Sequence, residues 1–395
     1  MSEWIKYALS DIGEFFDGPH ATPTRTDSGP YFLNISSLVN GRLDLSLSDH
    51  VSDEDFTRWT RRVTPNAGDL LFSYETRLGD AALMPEGIQA CLGRRMALLR
   101  PDRKLVEPRF LLYLYLSPIF RRLIEKNTVQ GATVNRIALS TMPHWAITLP
   151  PLPQQRAIAE VLGALDDRIA ANTKTAEIAT QLSGLIYDEA VALTPVQPMS
   201  AVLSPILGGT PSRARPDFWS GQRLWASARD VTGADDGVII DTEEKISDIA
   251  VDSTKAKPLS KGGVILTARG TVGRVARLAV PASFNQSCYG FEPGVLPAAI
   301  LYLSILRSAK KARSLAHGSV FDTITMSTFD HLDVPALTPI QVSEIDCKVS
   351  PLLEVVTSSV LENKALAATR DALLPQLVSG RLRVKDAEKA VEGVL

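Results

Sequence analysis

The sequence predicts an α+β protein: two similar, mixed, β-rich domains separated by two long helices, which form an antiparallel coiled coil in a pseudo-twofold, duplicated chain. Three observations lead there. The chain repeats itself at a period of roughly 190 residues. Each copy ends in a Pro–Gln stretch that opens a long amphipathic helix. Between these helices lie short apolar runs set among Gly, Pro, Ser, Thr and Asp, the pattern of short strands with long loops.

The repeat sets the domain order. ATPTR (21–25) matches GTPSR (209–213), and YFLNISSL (31–38) sits where RLWASARDV (223–231) sits. GDLLFSYETRLGDAAL (68–83) matches GGVILTARGTVGRVAR (262–277), and GRRMALLRP (93–101) matches NQSCYGFEP (285–293). FLLYLYLSPIFRRLI (110–124) matches AILYLSILRSAKKAR (299–313), and GATVNRIALSTM (131–142) matches GSVFDTITMSTF (318–329). The period is far too long for a solenoid and marks a tandem duplication. The expected parts are a first domain over 1–152, a central helix over 153–192, a second domain over 193–339 and a C-terminal helix and tail over 340–395. DLLFS and GVILTA read as buried strands running into loops, where Gly79, Gly270 and Gly273 give backbone freedom. The two FLLY/ILYL segments read as helices with basic last turns, which suit the helix dipole.

In the central helix Ile158, Leu162, Leu165 and Ile169 follow heptad spacing, continued by Asn172, Ala176 and Ala179 and drifting to Leu182 and Ile186. The C-terminal stripe is Ile345, Val349, Leu352, Val356, Ser359, Asn363, Leu366, Arg370, Leu373 and Leu377. Pro351 inside it predicts a kink or a later helix start. Roughly 40 residues of helix span about 60 Å. Neither helix can bury such a stripe alone, so the two are expected to pair, with Asn172 and Asn363 fixing register at some cost in stability. The other reading, each helix folded back on its own domain, remains open at this point.

Composition narrows the function. The net charge of −2 does not advertise nucleic-acid binding, and residues 1–152 balance 17 basic against 17 acidic side chains. Yet arginine outnumbers lysine 28 to 14. Arginine forks onto guanine or phosphate better than lysine does, although a genome rich in arginine codons accounts for the excess equally well. There is no uninterrupted apolar stretch of membrane-spanning length, and MSEWIKYALSDIGEFF does not read as a signal peptide. The cysteines Cys91, Cys288 and Cys347 are scattered, which suggests a reducing compartment and a cytoplasmic protein. The chain lacks an NPPY or DPPY motif, a phosphate loop and a dinucleotide fingerprint. His20, His50, His144, His317 and His331 have no metal-ligand spacing, and the EEK at 243–245 sits in a polar, exposed segment. No catalytic or metal site is expected.

Two matched domains on a stiff bar suit a ligand with two separated sites, such as duplex DNA, whose groove faces recur about every 34 Å. Over essentially its whole length the chain resembles the specificity subunit of type I restriction-modification enzymes. The residues that carry the likeness are LPPLPQQRAIAEVLGALDDRI (149–169), ALAATRDALLPQLVSGRLRV (365–384), GGTPSR with the following DFW and LWASARDV (208–231), and DGPHATP (17–23). The resemblance implies two target recognition domains, each reading one half of a bipartite, asymmetric double-stranded DNA site. It also implies helices that act as ruler and as docking site for two modification (methyltransferase) subunits, with restriction (translocase/nuclease) subunits joining where they exist. Methyl transfer and cleavage then belong to those partners, with S-adenosylmethionine bound there and no cofactor in this chain. The first domain's NISSL departs from the Trp and Asp of WASARDV, so its loop is expected to read DNA differently. Two alternatives stand beside this reading: a single-chain DNA methyltransferase or nuclease with a diverged site, and a noncatalytic coiled-coil scaffold.

The candidate DNA-binding residues fall at matched loop positions. In the first domain they are Thr22, Thr24, Arg25, Ser36, Ser37, Tyr74, Thr76, Arg77, Arg94, Arg95, Asn135 and Arg136. In the second they are Thr210, Ser212, Arg213, Arg215, Ser227, Arg229, Arg269, Thr271, Arg274, Gln286, Ser287 and Ser319. Arg can fork onto guanine, Gln or Asn onto adenine, and Ser or Thr onto phosphate. Tyr74 suits either stacking on a displaced base or capping a strand end. Leu162, Leu165, Ile169, Asn172, Leu352, Val356, Asn363 and Leu366 are the candidate subunit-interface residues.

Overall fold

The computed structural model describes residues 4–19, 23–131, 134–316 and 323–393. Its α-helices, in chain order, are α1 (Asp53–Trp59), α2 (Pro108–Leu116), α3 (Pro118–Asn127), α4 (Leu152–Ala190), α5 (Ala228–Thr232), α6 (Asp248–Ser253), α7 (Ala298–Ala316), α8 (Pro339–Leu377) and α9 (Val384–Glu392). Contacts divide the chain into two units. One is Met1–Arg168 with Leu366–Leu395, and the other is Ile169–Ala365. Each unit therefore takes one stretch of α4 and one of α8.

In the first unit the fully buried strand Leu70–Ser73 lies between Met96–Pro101 and Ala81–Leu83. Gly13–Asp17 adds beyond Met96–Pro101, and every pairing is antiparallel. A second small sheet pairs Thr26–Phe32 with Asp49–His50 and, in parallel, with Ala90–Cys91. The second unit repeats the plan. Val264–Thr267 lies between Cys288–Phe291 and Val275–Leu278, with Ile206–Leu207 and Val238–Ile239 at the edges. Arg223–Ala226 pairs with Glu244–Ile246 and, in parallel, with Ser283–Phe284. The registers agree residue for residue: Leu99 faces Leu70 as Phe291 faces Val264, and Met96 faces Ser73 as Cys288 faces Thr267. The copies differ where the first has Pro118. There the helical segment breaks at the buried Ser117, which caps α3, whereas its counterpart α7 runs on unbroken.

The long helices run side by side and antiparallel within each unit. In the first, Arg370 Nη1 of α8 lies 2.8 Å from Asp166 Oδ1 of α4, and Tyr113 of α2 donates to Asp166 Oδ2 at 2.6 Å. Ile158, Leu162 and Leu165 are fully buried there, as are Leu366 and Leu377. In the second unit Asn363 Nδ2 donates to Thr173 Oγ1 at 3.2 Å and Gln341 Nε2 to Thr194 Oγ1 at 3.4 Å. Residue numbers rise on one helix as they fall on the other. Ala176, Ala179 and Tyr187 join Ile345, Val349, Leu353, Val356 and Val360 in one core with the domain's own strands.

Two helix expectations are corrected. α8 continues through Pro351 without a break, because Pro351 is exposed while Val349, Leu353 and Val356 are buried. A proline on the outer face removes one backbone bond but does not disturb the packed stripe. The seam of α4 also leaves the predicted line: past Ala179 it passes to Ser183 and Tyr187, leaving Leu182 at 42% exposure. A straight helix of 3.6 residues per turn drifts away from a strict heptad, and four-residue steps follow that drift. Likewise Leu353 rather than Leu352 is the buried residue of its turn.

Candidate nucleic-acid interface

The loops at one end of each central sheet converge. In the first unit the turn after Ser73, the turn before Met96 and the segment at Arg136–Ile137 are bound through one residue. Tyr74 N donates to Arg95 O at 3.1 Å, and Ile137 N donates to Tyr74 O at 2.8 Å. Thr76 N reaches Asn135 O at 3.4 Å, and Glu75 bridges to Arg136 through the backbone. The second unit ties the same knot with Ala268: its N–H donates to Ser287 O at 2.8 Å, and Ile324 N donates to its carbonyl at 2.9 Å. Tyr74 and Ala268, Arg95 and Ser287, and Ile137 and Ile324 are thus equivalent positions. At these matched places the copies carry different chemistry, Glu75 against Arg269 and Arg94 against Gln286.

The backbone of the first cluster is strained. Thr76 and Arg95 both have positive φ, 69° and 66°. Non-glycine residues held there cost on the order of 1–3 kcal/mol each. Cross-bonds hold them: Arg95 Nη1 donates to Thr76 Oγ1 at 3.3 Å, and its Nε lies 3.4 Å from Glu75. In the second cluster Gly270 takes the positive-φ position of Thr76 without that cost, and Thr271 Oγ1 meets Thr232 Oγ1 of α5 at 3.0 Å.

The candidate readers divide by what they already hold. Among the described residues, Arg94, Arg136, Arg269 and Arg274 are exposed and have no ion-pair partner. Thr24, Asn135, Thr210, Ser212 and Gln286 are exposed as well. Other arginines are engaged. Arg25 pairs with Asp49 at 3.1 Å, Arg229 with Glu243 at 3.5 Å and Arg215 with Asp217 at 2.6 Å. Arg77 pairs with Asp80 at 2.6 Å and donates to the carbonyls of Ile35 and Leu38. Arg213 grips both oxygens of Glu244, with Nη2–Oε2 at 2.7 Å, and stacks 3.5 Å over Trp219. That pairing holds the Glu244 carboxyl below the usual carboxylate range.

Several other candidate readers are buried or already engaged. Ser37 is fully buried against Ser48, and Ser36 is folded onto Asn34, which caps its turn. Ser227 caps α5 and is bonded to Asp230. Ser287 is half-buried, with its backbone in the knot. Tyr74 is buried beside Asp17, and its hydroxyl is pushed up to about 12, first by burial and then by the Asp17 charge. It closes a strand end. Thr22 and Ser319 lie outside the described residues.

The candidate interface residues lie at the chain's own helix seam. Leu162, Leu165, Asn172, Val356 and Leu366 are buried inside the chain's own helix seam, and Ile169, Leu352 and Asn363 are half-buried beside it. The apolar face left open on α4 is instead Ile178, Leu182 and Leu185, spaced i, i+4, i+7. Sequence reasoning also missed a basic cavity of about 460 Å³ in the first unit, lined by Asp17, Gly18, Pro19, Arg58, Trp59, Arg61, Arg62, Val63 and Leu92. The run RWTRR, basic residues interleaved with an aromatic, was its sequence signal. Among the described residues no cluster of His, Cys, Asp and Glu is placed to hold a metal, and no helix is long and apolar enough to cross a membrane.

Comparison with known proteins agrees with this geometry. Residues 1–180 and 210–342 match the family model of the type I restriction modification DNA specificity domain. The chain is 21% identical over 475 aligned positions to the type I restriction enzyme HindI specificity subunit of Haemophilus influenzae, covering 97% of this chain and 100% of that one. It is 28% identical over 187 residues to the putative type I restriction enzyme MjaX specificity subunit of Methanocaldococcus jannaschii, a match spanning 45% of this chain and 42% of the relative. In fold it resembles the crystal structure of a type I restriction-modification system S subunit from M. genitalium, with a TM-score of 0.63 over 95% of this chain and 96% of that one, at 15% identity. Two copies of one strand plan, each ending in a knot of loops and each bound to both long helices, carry a family model over most of the chain: this protein belongs to the type I restriction modification DNA specificity domain family.

Proposed function

We infer that the chain is the DNA-reading specificity subunit of a type I restriction-modification complex. Each recognition domain takes one half of a bipartite, asymmetric duplex site. The observation that carries this is the pair of equivalent loop knots: each presents uncommitted arginines, but at non-matching places, so the two copies offer different side chains on the same frame. Arg94 and Arg136 serve the first half-site, and Arg269 and Arg274 serve the second, where Gln286 replaces an arginine. Phosphate contacts position the protein, and base-edge contacts set the sequence.

In this reading α4 and α8 are the ruler, and the open stripe Ile178–Leu182–Leu185 on α4 offers apolar surface to a modification subunit. S-adenosylmethionine and methyl transfer belong to the two modification subunits, and translocation and cleavage to restriction subunits where they exist. Near-neutral net charge fits a reader that closes on DNA together with its partners. The isolated chain then binds DNA weakly and with strong salt dependence.

Base-resolution mapping of N6-methyladenine after co-expression with a modification subunit tests the reading. A split motif is expected. Exchanging residues 1–150 for those of a relative should change one half of that motif only. Lengthening both helices by four residues, about 6 Å, should widen the gap by roughly two base pairs. A continuous motif, or measurable S-adenosylmethionine binding by the purified chain alone, would overturn it.

A further inference from the structure

The basic run that lines the cavity in the first unit has no counterpart in the sequence of the second. The cavity lies behind α1, whose N-cap Ser52 matches Ser247, the N-cap of α6. Past that cap the copies part. The first has Arg58, Trp59, Arg61 and Arg62, whereas the second, SDIAVDSTKAK, has no arginine. Its Lys257 spends its ammonium group on the carbonyls of Val251 and Asp252.

The three guanidinium groups are uncommitted. Arg58, Arg61 and Arg62 are exposed, and none has a carboxylate partner among the described residues. Arg58 leans over Trp59, 5.4 Å from the ring centre, and Trp59 packs on the core of Phe32, Val51 and Cys91. The aromatic ring thus fixes one wall to the fold. The helix dipole does not explain the cluster, since α1 has two turns and Arg61 and Arg62 lie beyond its end. Three like charges on one wall repel each other unless an anion joins them. The acid of the wall, Asp17, lies beside the Tyr74 hydroxyl.

The cavity also adjoins the loop knot. Leu92 on its wall stands two residues before Arg94. A Cβ on Gly18 would lie 2.7 Å from the carbonyl oxygens of Gly93 and Met96, so wall and knot are packed backbone to backbone.

We propose that this cavity seats the sugar–phosphate backbone of DNA beside the first half-site, with Arg58, Arg61 and Arg62 on phosphate oxygens. The inference rests on the proposed DNA-reading function and adds to it an asymmetry: the first domain grips the duplex electrostatically beyond its reading loops, and the second does not. The seat holds position and reads no base.

The test uses the complex assembled with its modification subunits. Binding to the mapped duplex is measured against salt for the wild type, Arg61→Gln/Arg62→Gln and Arg61→Lys/Arg62→Lys. Removing one phosphate neutralisation lowers the slope of log K against log salt by about 0.9. The glutamine pair should lower the slope by roughly 1–2, the lysine pair should keep it, and the methylated motif should stay unchanged in both. An unchanged slope in the glutamine pair would overturn the proposal, as would an altered motif, which would make these residues base readers. Saturable tripolyphosphate binding that disappears in the glutamine pair, with the DNA slope intact, would assign the cavity to a free phosphate compound and overturn it too. If the wild-type complex methylates no split motif, the DNA-reading function itself fails. If it does and the slope stays fixed, only this inference fails.

Discussion

Arginines that are free and arginines that are occupied should separate cleanly on mutation. Arg136 sits exposed in the first loop knot without an ion-pair partner among the described residues, whereas Arg213 grips Glu244 and stacks on Trp219. Under the proposed function Arg136→Ala removes a DNA-contacting group, so the assembled complex should bind its site more weakly by about 1–3 kcal/mol, or roughly 5- to 150-fold. Its thermal midpoint should not move. Arg213→Ala removes a surface ion pair of about 0.2–1 kcal/mol and a cation–π contact of about 0.5–1 kcal/mol. The second unit has about 200 residues, so a loss of about 1–2 kcal/mol lowers its midpoint by roughly 2–8 °C. Anisotropy titration with a labelled duplex and a thermal melt on the same preparations measure both quantities. If Arg213→Ala lost affinity with an unmoved midpoint while Arg136→Ala bound like the wild type, using existing partners to sort readers from scaffold would be wrong.

Leu366→Ala, at a fully buried seam position, should cost about 2–5 kcal/mol in urea unfolding, because few neighbours can collapse into the space. The opposite sign is expected for Asn172→Leu: its buried amide nitrogen has no hydrogen-bond partner, so relieving it should raise the unfolding midpoint, while Asn363 keeps its bond to Thr173. For Glu244, the lowered pKa means that the stability it contributes is present above the unfolded value near pH 4.3 and is lost as pH falls through the lower folded value. The stability gap between wild type and Glu244→Gln should therefore close as the medium is acidified below about pH 4; a gap that widened there would contradict the pairing.

The duplication was readable because strands keep their register when sequence diverges. Leu70 and Val264 share no side chain, yet both are bounded by the same turn, with Gly68 and Gly262 at φ 88° and 84°. The helix stripes were readable from Ile158 to Ala179 and then misjudged, because a 3.5-residue count drifts over a 39-residue helix. Tyr187 is buried by a hydroxyl bond to Ser304, 117 residues away, which no local pattern announces. The reader set suffered for the same reason. Arginine in a loop is visible in sequence, but the carboxylate that claims it is not: Glu244 stands 31 residues from Arg213, and Asp49 stands 24 from Arg25. The RWTRR cavity escaped notice because it lies outside the segments that align between the two copies.

The division of the chain has a bearing on how it is made. The second unit is one uninterrupted stretch, 169–365, and all of it has been translated before residues 366–395 are added. The first unit is not finished until that last stretch exists, since Asp166 waits 204 residues for Arg370. The domain synthesised first thus matures last. A premature stop near residue 366 would spare the later half of the polypeptide and cripple the earlier one.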